Sequence, residues 1–513
     1  MVEFSSTPTL KPAASMASLS TELVTLILEE LHDIDPQPIL NARFVCRGFN
    51  DITTPFVYET VQVNERVIRP DAARLFPRTL KLINNFTRHV VLRNAYDRQT
   101  VSDFLDRLER LESIRWRYID NIGPFTDLCT PPDVTRLKNR DPDKVRLHVD
   151  SLPLSSLDGK HSDIYRRLMP PLQQLDSLKM VSQLPAVTTT RLPALKRLLL
   201  DCPSIREFRY HHRGQGTQLS FKGAERLPPF TTLALRSYDW THDAHEVAAH
   251  WDFSRLRSLK LISLPVFDFL SSVYPADLKR LHTLHLDDFS AAARSDDPNG
   301  GSKHATRLVY TLVKNHIRAL RSLRATCHTA LFPVDALLVH KRSLRDLLFR
   351  DHVGFAEENR RCPTLRVTNL VSLSQVMAAL DTLEQDMDIF VDRLPFLLAI
   401  CAFPQLQTLV LNVQTVVKAD DVTYRHCHEK DPDLNRANDI FGVLVDNKMG
   451  YKSWRRITLI VGGWKRVMVR RLGENWRMQN RGGIFTERCF VMESSPKGND
   501  QLKMNELRCI SVR

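Results

Sequence analysis

Apolar residues between Met16 and Val63 recur every three or four positions, the spacing of one face of an α-helix. In "LSTELVTLILEEL", Leu23, Leu26, Ile27 and Leu31 share a face, leaving Glu29 and Glu30 for solvent. Ser20 is placed to cap this helix, Glu22 in its first turn complements the helix dipole, and Leu19 is positioned to staple onto Val24. Asp35 and Pro36 open a second helix carrying Ile39, Leu40, Phe44 and Val45; Pro38 still falls in its first turn, where a missing N–H is harmless. A third short helix carries Phe49 and Ile52, turns Asn50 and Asp51 outward and is expected to stop at Pro55. Cys46 reads as a small buried apolar side chain. Three helices this short make a bundle with a small core, so apolar residues left over point to a partner.

Beyond Val63 the pattern changes. Leucine-type residues occupy a position, the third after it and the fifth after it in "LDSLKM" from Leu175, "LKRLLL" from Leu195, "LRSLKL" from Leu256, "LHTLHL" from Leu281, "LRSLRA" from Leu320, "LRDLLF" from Leu344 and "LQTLVL" from Leu406. The last two positions lie two apart and so on one side of a strand, and the residue between them, often Lys, His or Arg, faces the other. Each motif therefore predicts a short strand with one buried face. Successive motifs start 20, 25 and 24 residues apart in three cases and 39 and 62 apart in two others, so repetition is interrupted. Between them, "PVFDFLSSVYPADLKR" and "TRLVYTLVKNHIRALR" have helical spacing. Three polar segments read as loops: "PPDVTRLKNRDPDK" from Pro131, "SAAARSDDPNGGSKHATR" from Ser290 and "KADDVTYRHCHEKDPDLNRAND" from Lys418.

At 513 residues the chain exceeds what one hydrophobic core serves, and 43% hydrophobic with 26% charged residues is the balance of a folded chain. The net charge of +13 is uneven: from Lys448 onward fifteen lysines and arginines stand against five acidic residues, which makes either a solvated basic face or a stretch that attracts an acidic partner. Nine dispersed cysteines without a CxxC pair suit reduced thiols in the cytoplasm or nucleus. Residues 1–15 lack an apolar signal segment and read as a flexible tail, and "LPFLLAICAF" from Leu394 is too short to cross a bilayer. A soluble intracellular protein with no membrane partner is the expectation.

"LSTELVTLILEEL", "DIDPQPILNARFVCRGFNDI" and "TPFVYETVQV" together resemble the F-box in its fungal form, with Ser20 in place of the usual proline and Phe49 where many members have tryptophan. The resemblance implies docking onto the Skp-type adaptor of a cullin-RING ubiquitin ligase, through Leu19, Leu23, Ile27, Leu31, Ile39, Leu40, Val45, Cys46 and Phe49. The later motifs resemble leucine-rich repeats, which often follow an F-box, but the family's asparagine three residues after the last motif leucine is absent. The expected fold is thus α/β: a small three-helix F-box over 16–63, an irregular leucine-rich-repeat-like solenoid over 64–465 that holds an unknown target protein, and a basic cap or tail over 466–513.

No catalytic constellation emerges. His245-Glu246 with His250 imitates a zinc protease motif, but histidines five apart on a helix are rotated by roughly 140° from each other. His242 and His245 lack a third ligand, "RHCHEK" around Cys427 has no spaced partner pair, and "PNGGSKHA" is not a phosphate loop. Neither metal, cofactor nor enzymatic activity is expected. Nucleic acid is not an expected partner either: Trp454, Trp464 and Trp476 lie among the C-terminal arginines at a spacing that suits packing better than base stacking. A ligase-independent binding module built on that basic region is the rival reading.

Overall fold

The structure is a computed structural model and describes residues 19–34, 37–69, 71–119, 130–137, 145–152, 168–181, 193–211, 218–288, 301–351, 364–388, 392–413, 432–450, 452–461, 488–494 and 502–508. The chain forms two compact units, Met1–Lys179 and Met180–Arg513.

The first unit begins with three helices, α1 (Thr21–Ile34), α2 (Gln37–Ala42) and α3 (Arg47–Glu59). The Ser20 hydroxyl accepts from the Leu23 N–H at 3.4 Å, as the capping pattern predicts. Two expectations fail here. The second helix ends at Ala42, so Phe44 and Val45 lie in the turn that follows it. The third helix does not stop at Pro55 but runs through it to Glu59, because Phe56 and Val57 beyond the proline pack on the core of Val24, Leu28 and Ile39. Thr53 and Thr54, buried beside the proline, donate to the Phe49 and Asn50 carbonyls at 2.7 and 2.6 Å. Parallel strands then follow in chain order: β1 (Thr60–Gln62), β2 (His89–Arg93), β3 (Ser113–Arg117), β4 (Arg146–Asp150) and β5 (Leu175–Val181).

In the second unit β6 (Glu207–His211), β7 (Thr232–Arg236), β8 (Ser258–Leu264), β9 (Thr283–Asp288), β10 (Ser322–Cys327), β11 (Asp346–Asp351), β12 (Thr382–Met387), β13 (Thr408–Val413) and β14 (Arg456–Val461) pair in sequence order and in parallel. Two antiparallel strands, β15 (Arg488–Ser494) and β16 (Leu502–Arg508), close the series. Helical segments fall between strands, among them Val266–Ser272 and Gly301–Thr311 in the two stretches with helical spacing. The α/β expectation holds in each unit as a sequentially paired, mostly parallel sheet flanked by helices, a solenoid-like arrangement.

One motif position runs through the second unit as a single ladder. Phe208, Leu233, Leu259, Leu284, Leu323, Leu347, Leu383, Leu409 and Ile457 are paired strand to strand and buried. Each such side chain contributes about 1.5–3 kcal/mol by leaving water. Six of the seven leucine motifs are strands. The seventh, "LKRLLL", is a helix, Pro193–Asp201: Ala194, Leu195, Leu198 and Leu199 bury one helical face behind a proline in the first turn, and unbranched leucines suit that geometry. Two expected loops also contain helices, Gly301–Thr311 and Pro432–Asp446, while 138–144, 289–300 and 414–431 lie outside the described residues.

The missing asparagine has a substitute one position earlier. Two residues after the last motif position, Asn94 Oδ1 accepts from the Ile119 N–H at 3.1 Å, Asp288 Oδ1 from Val266 at 3.4 Å, and Asp351 Oδ2 from the N–H and hydroxyl of Thr329 at 2.8 and 2.7 Å. These buried acceptors satisfy the loop N–H groups that a strand's end would otherwise strand away from water.

Candidate functional site

The face that α1 buries is not the face that its leucine spacing suggests. Val24 and Leu28 form the core with Ile39, and Leu31, Phe49 and Ile52 pack half-buried against them. Leu23, Leu26 and Ile27 point outward, 50%, 56% and 42% exposed. With Leu19 they make an apolar stripe along α1, since positions three and four apart share a helical face. On α2 Leu40 is exposed, and in the turn after it Phe44 and Val45 reach 87% and 70%. Seven of the seventeen exposed large hydrophobics among the described residues fall within residues 19–45. Singly exposed leucines need no explanation, but this density on a three-helix segment does.

The nine residues assigned by sequence therefore separate. Leu19, Leu23, Ile27, Leu40, Val45 and Cys46 are exposed, Leu31 and Phe49 are half-buried on the small core, and Ile39 is inside it. Cys46 is not the buried apolar side chain expected; it is exposed and caps α3, its sulfur accepting from the Phe49 N–H at 3.4 Å. Leu26 and Phe44 are exposed residues that the assigned set omits, although Leu26 sits three positions after Leu23 and one before Ile27. Charge around the stripe is light. Glu22 is held below the usual carboxylate range by its own backbone N–H and then by Ser20. At the turn, the Arg43 guanidinium donates to Asn50 Oδ1 at 3.1 Å and lies over the Tyr58 ring, which fixes the approach of α2 to α3.

The histidines singled out by sequence do not converge on a metal. His242 is buried, bonded to the Tyr238 hydroxyl at 2.9 Å through Nε2 and to Glu246 at 3.0 Å through Nδ1. It packs on Trp240 and Trp251. His245 is exposed, and His250 Nδ1 bonds to the Glu225 carbonyl. Burial pushes the Tyr238 hydroxyl above its ordinary range, and the same hydroxyl accepts from the Leu219 N–H at 2.7 Å. Among the described residues no group of three or more His, Cys, Asp or Glu is placed to hold a metal. No described helix is long and apolar enough to cross a membrane. Trp454 is buried and donates to the Leu444 carbonyl at 2.8 Å, with Lys448 over its ring; Trp464, Trp476 and "RHCHEK" lie outside the described residues.

No family model matches the chain, and no curated protein matches it. Among solved structures, one described as the crystal structure of a TLR13-ssRNA13 complex is similar over 64% of this chain at 13% identity, with a TM-score of 0.31. The match spans 43% of that chain, less than half its length.

Proposed function

We propose that this protein is the substrate-recognition subunit of a Skp-cullin-F-box ubiquitin ligase. In this reading residues 16–63 are an F-box that docks the Skp-type adaptor, and through it the cullin, while the leucine-rich-repeat-like body holds a target protein. The observation that carries it is the apolar stripe of Leu19, Leu23, Leu26 and Ile27 with Leu40, Phe44 and Val45, left exposed by a helical segment whose own core is Val24, Leu28 and Ile39. Covering such side chains by a partner is favourable by roughly 25 cal/mol per Å² of apolar surface. A receptor of this kind needs no metal, cofactor or catalytic residue: it raises the local concentration of a target's lysines beside the ligase's charged carrier. Its working place is the cytoplasm or nucleus.

The test is co-purification of a recombinant Skp-type adaptor with wild-type protein and with Leu23→Ala/Ile27→Ala. Wild type is expected to retain the adaptor and the variant to lose it with an unchanged far-UV CD spectrum, because both side chains are outside the core. A wild type that binds no adaptor, yet is held on heparin with steep salt dependence, replaces this reading by the ligase-independent module of the basic C-terminal region.

A further inference from the structure

The strands of the second unit present their polar positions on the face opposite the leucine ladder. Strand pairing places Arg209, Ala234, Lys260, His285 and Arg324 in one row across β6 to β10. Beside it runs a second row, Glu207, Thr232, Ser258, Thr283 and Ser322. Lys260, His285 and Arg324 are therefore on three consecutive strands, about 5 Å apart from one to the next, next to three hydroxyls at the same spacing. Arg209 and Arg324 are exposed; Lys260, His285 and the hydroxyl residues are half-buried. Of the acids on this face, Glu207 pairs with Arg209 at 3.2 Å, Asp287 lies one row over, level with Arg236 and Thr326, and Asp346 on β11 ends the hydroxyl row beside Ser322.

The charge of this row near neutral pH is that of Lys260 and Arg324, with Arg209 at its end, because His285 between them is held neutral. Burial, then Arg209 and Arg324, holds Lys260 below its ordinary range, and burial, then Arg324, Lys260 and Arg236, pushes His285 down to about 4. Crowding like charges on a rigid sheet costs free energy that an anion laid across them returns. The row is also bounded: on β11 it continues as Leu348 and on β12 as Glu384. From β6 to β10 it is roughly 19 Å long, the reach of about six extended residues.

We infer that the Lys260, His285 and Arg324 row, with the Thr232, Ser258, Thr283 and Ser322 hydroxyls beside it, binds a short acidic segment of a protein chain. Carboxylates of the segment accept from the ammonium, the guanidinium and the hydroxyls. A nucleic acid fits less well. The three open-face rows of β6 to β10 carry no Phe, Tyr or Trp on which bases would stack, since Phe208 and Tyr210 are turned inward. Assigning this segment to the ligase target rests on the function proposed above; the binding surface itself does not.

Fluorescence anisotropy of a labelled oligo-glutamate peptide with the full chain, without adaptor, tests the inference. The peptide is expected to bind, with affinity falling about tenfold or more in Lys260→Glu/Arg324→Glu and by a smaller step in Lys260→Gln, and weakening as salt rises. An oligo-uridine of equal length is expected to bind more weakly. Peptide binding that is absent in wild type or unchanged in both variants overturns the inference, as does tighter binding of oligo-uridine that the same variants abolish. Because the adaptor plays no part, failure here leaves the docking stripe standing, and loss of adaptor binding leaves this row standing.

Discussion

Leu23 and Leu259 are the same residue in opposite circumstances: the first is half exposed on α1, the second wholly buried in the ladder of the parallel sheet. The sheet has a use for every leucine in its motif, because each strand's inward position meets its neighbours' in register and the row closes over itself. The helical segment does not, because a core built on Val24, Leu28 and Ile39 saturates before the leucines run out. Surplus apolar surface on a small helical unit is what the function proposed above uses for docking, whereas the same composition on the sheet is architecture.

Substitution separates the two roles. Leu259→Ala is expected to cost about 2–5 kcal/mol, seen as a lower urea midpoint for the second unit, while Leu23→Ala changes stability by no more than about 0.5 kcal/mol. Equal losses from the two would erase the contrast. A smaller effect probes the polar face. His285 is at about 4 in the folded protein against an ordinary value near 6.5, so between those pH values the unfolded chain holds a proton that the folded chain does not. Folding stability from this group is intact above 6.5 and lost as pH falls toward 4. Thermal melts at pH 7.5 and 5 are therefore expected to differ less in His285→Gln than in wild type. The smallest effect is at the β8 bulge, where Ser263 has φ 54° as the register shifts between Ile262 and Leu264. Ser263→Gly removes the left-handed penalty and is expected to raise stability by less than about 1 kcal/mol, read from the same melts.

How much of this was legible in the chain depends on which residues carry it. The strand motif was visible where leucine fills it and invisible where an aromatic or β-branched residue does. Leu111/Ile114/Trp116, Ile205/Phe208/Tyr210, Phe230/Leu233/Leu235 and Trp454/Ile457/Leu459 obey the same spacing on β3, β6, β7 and β14. The 62-residue gap after Leu344 closes once Leu380/Leu383/Gln385 is read the same way, on β12. "LKRLLL" satisfied the strand spacing and a helical one at once, and only Ala194 before it and Leu199 within it decide for the helix. On α1 periodicity was ambiguous because apolar residues surround most of the helix: Leu23, Val24, Leu26, Ile27, Leu28 and Leu31 leave no clean polar side, so tertiary packing chose the buried face. The basic row could not be read from sequence at all, since Lys260, His285 and Arg324 become neighbours only through strand register.

Titration calorimetry of the purified chain with a recombinant Skp-type adaptor measures docking by the α1 stripe directly. A one-to-one complex with a negative heat-capacity change, the signature of buried apolar surface, is expected, as is its loss in Leu23→Ala/Ile27→Ala. A wild-type chain that gives no binding heat at any temperature and elutes apart from the adaptor would contradict it.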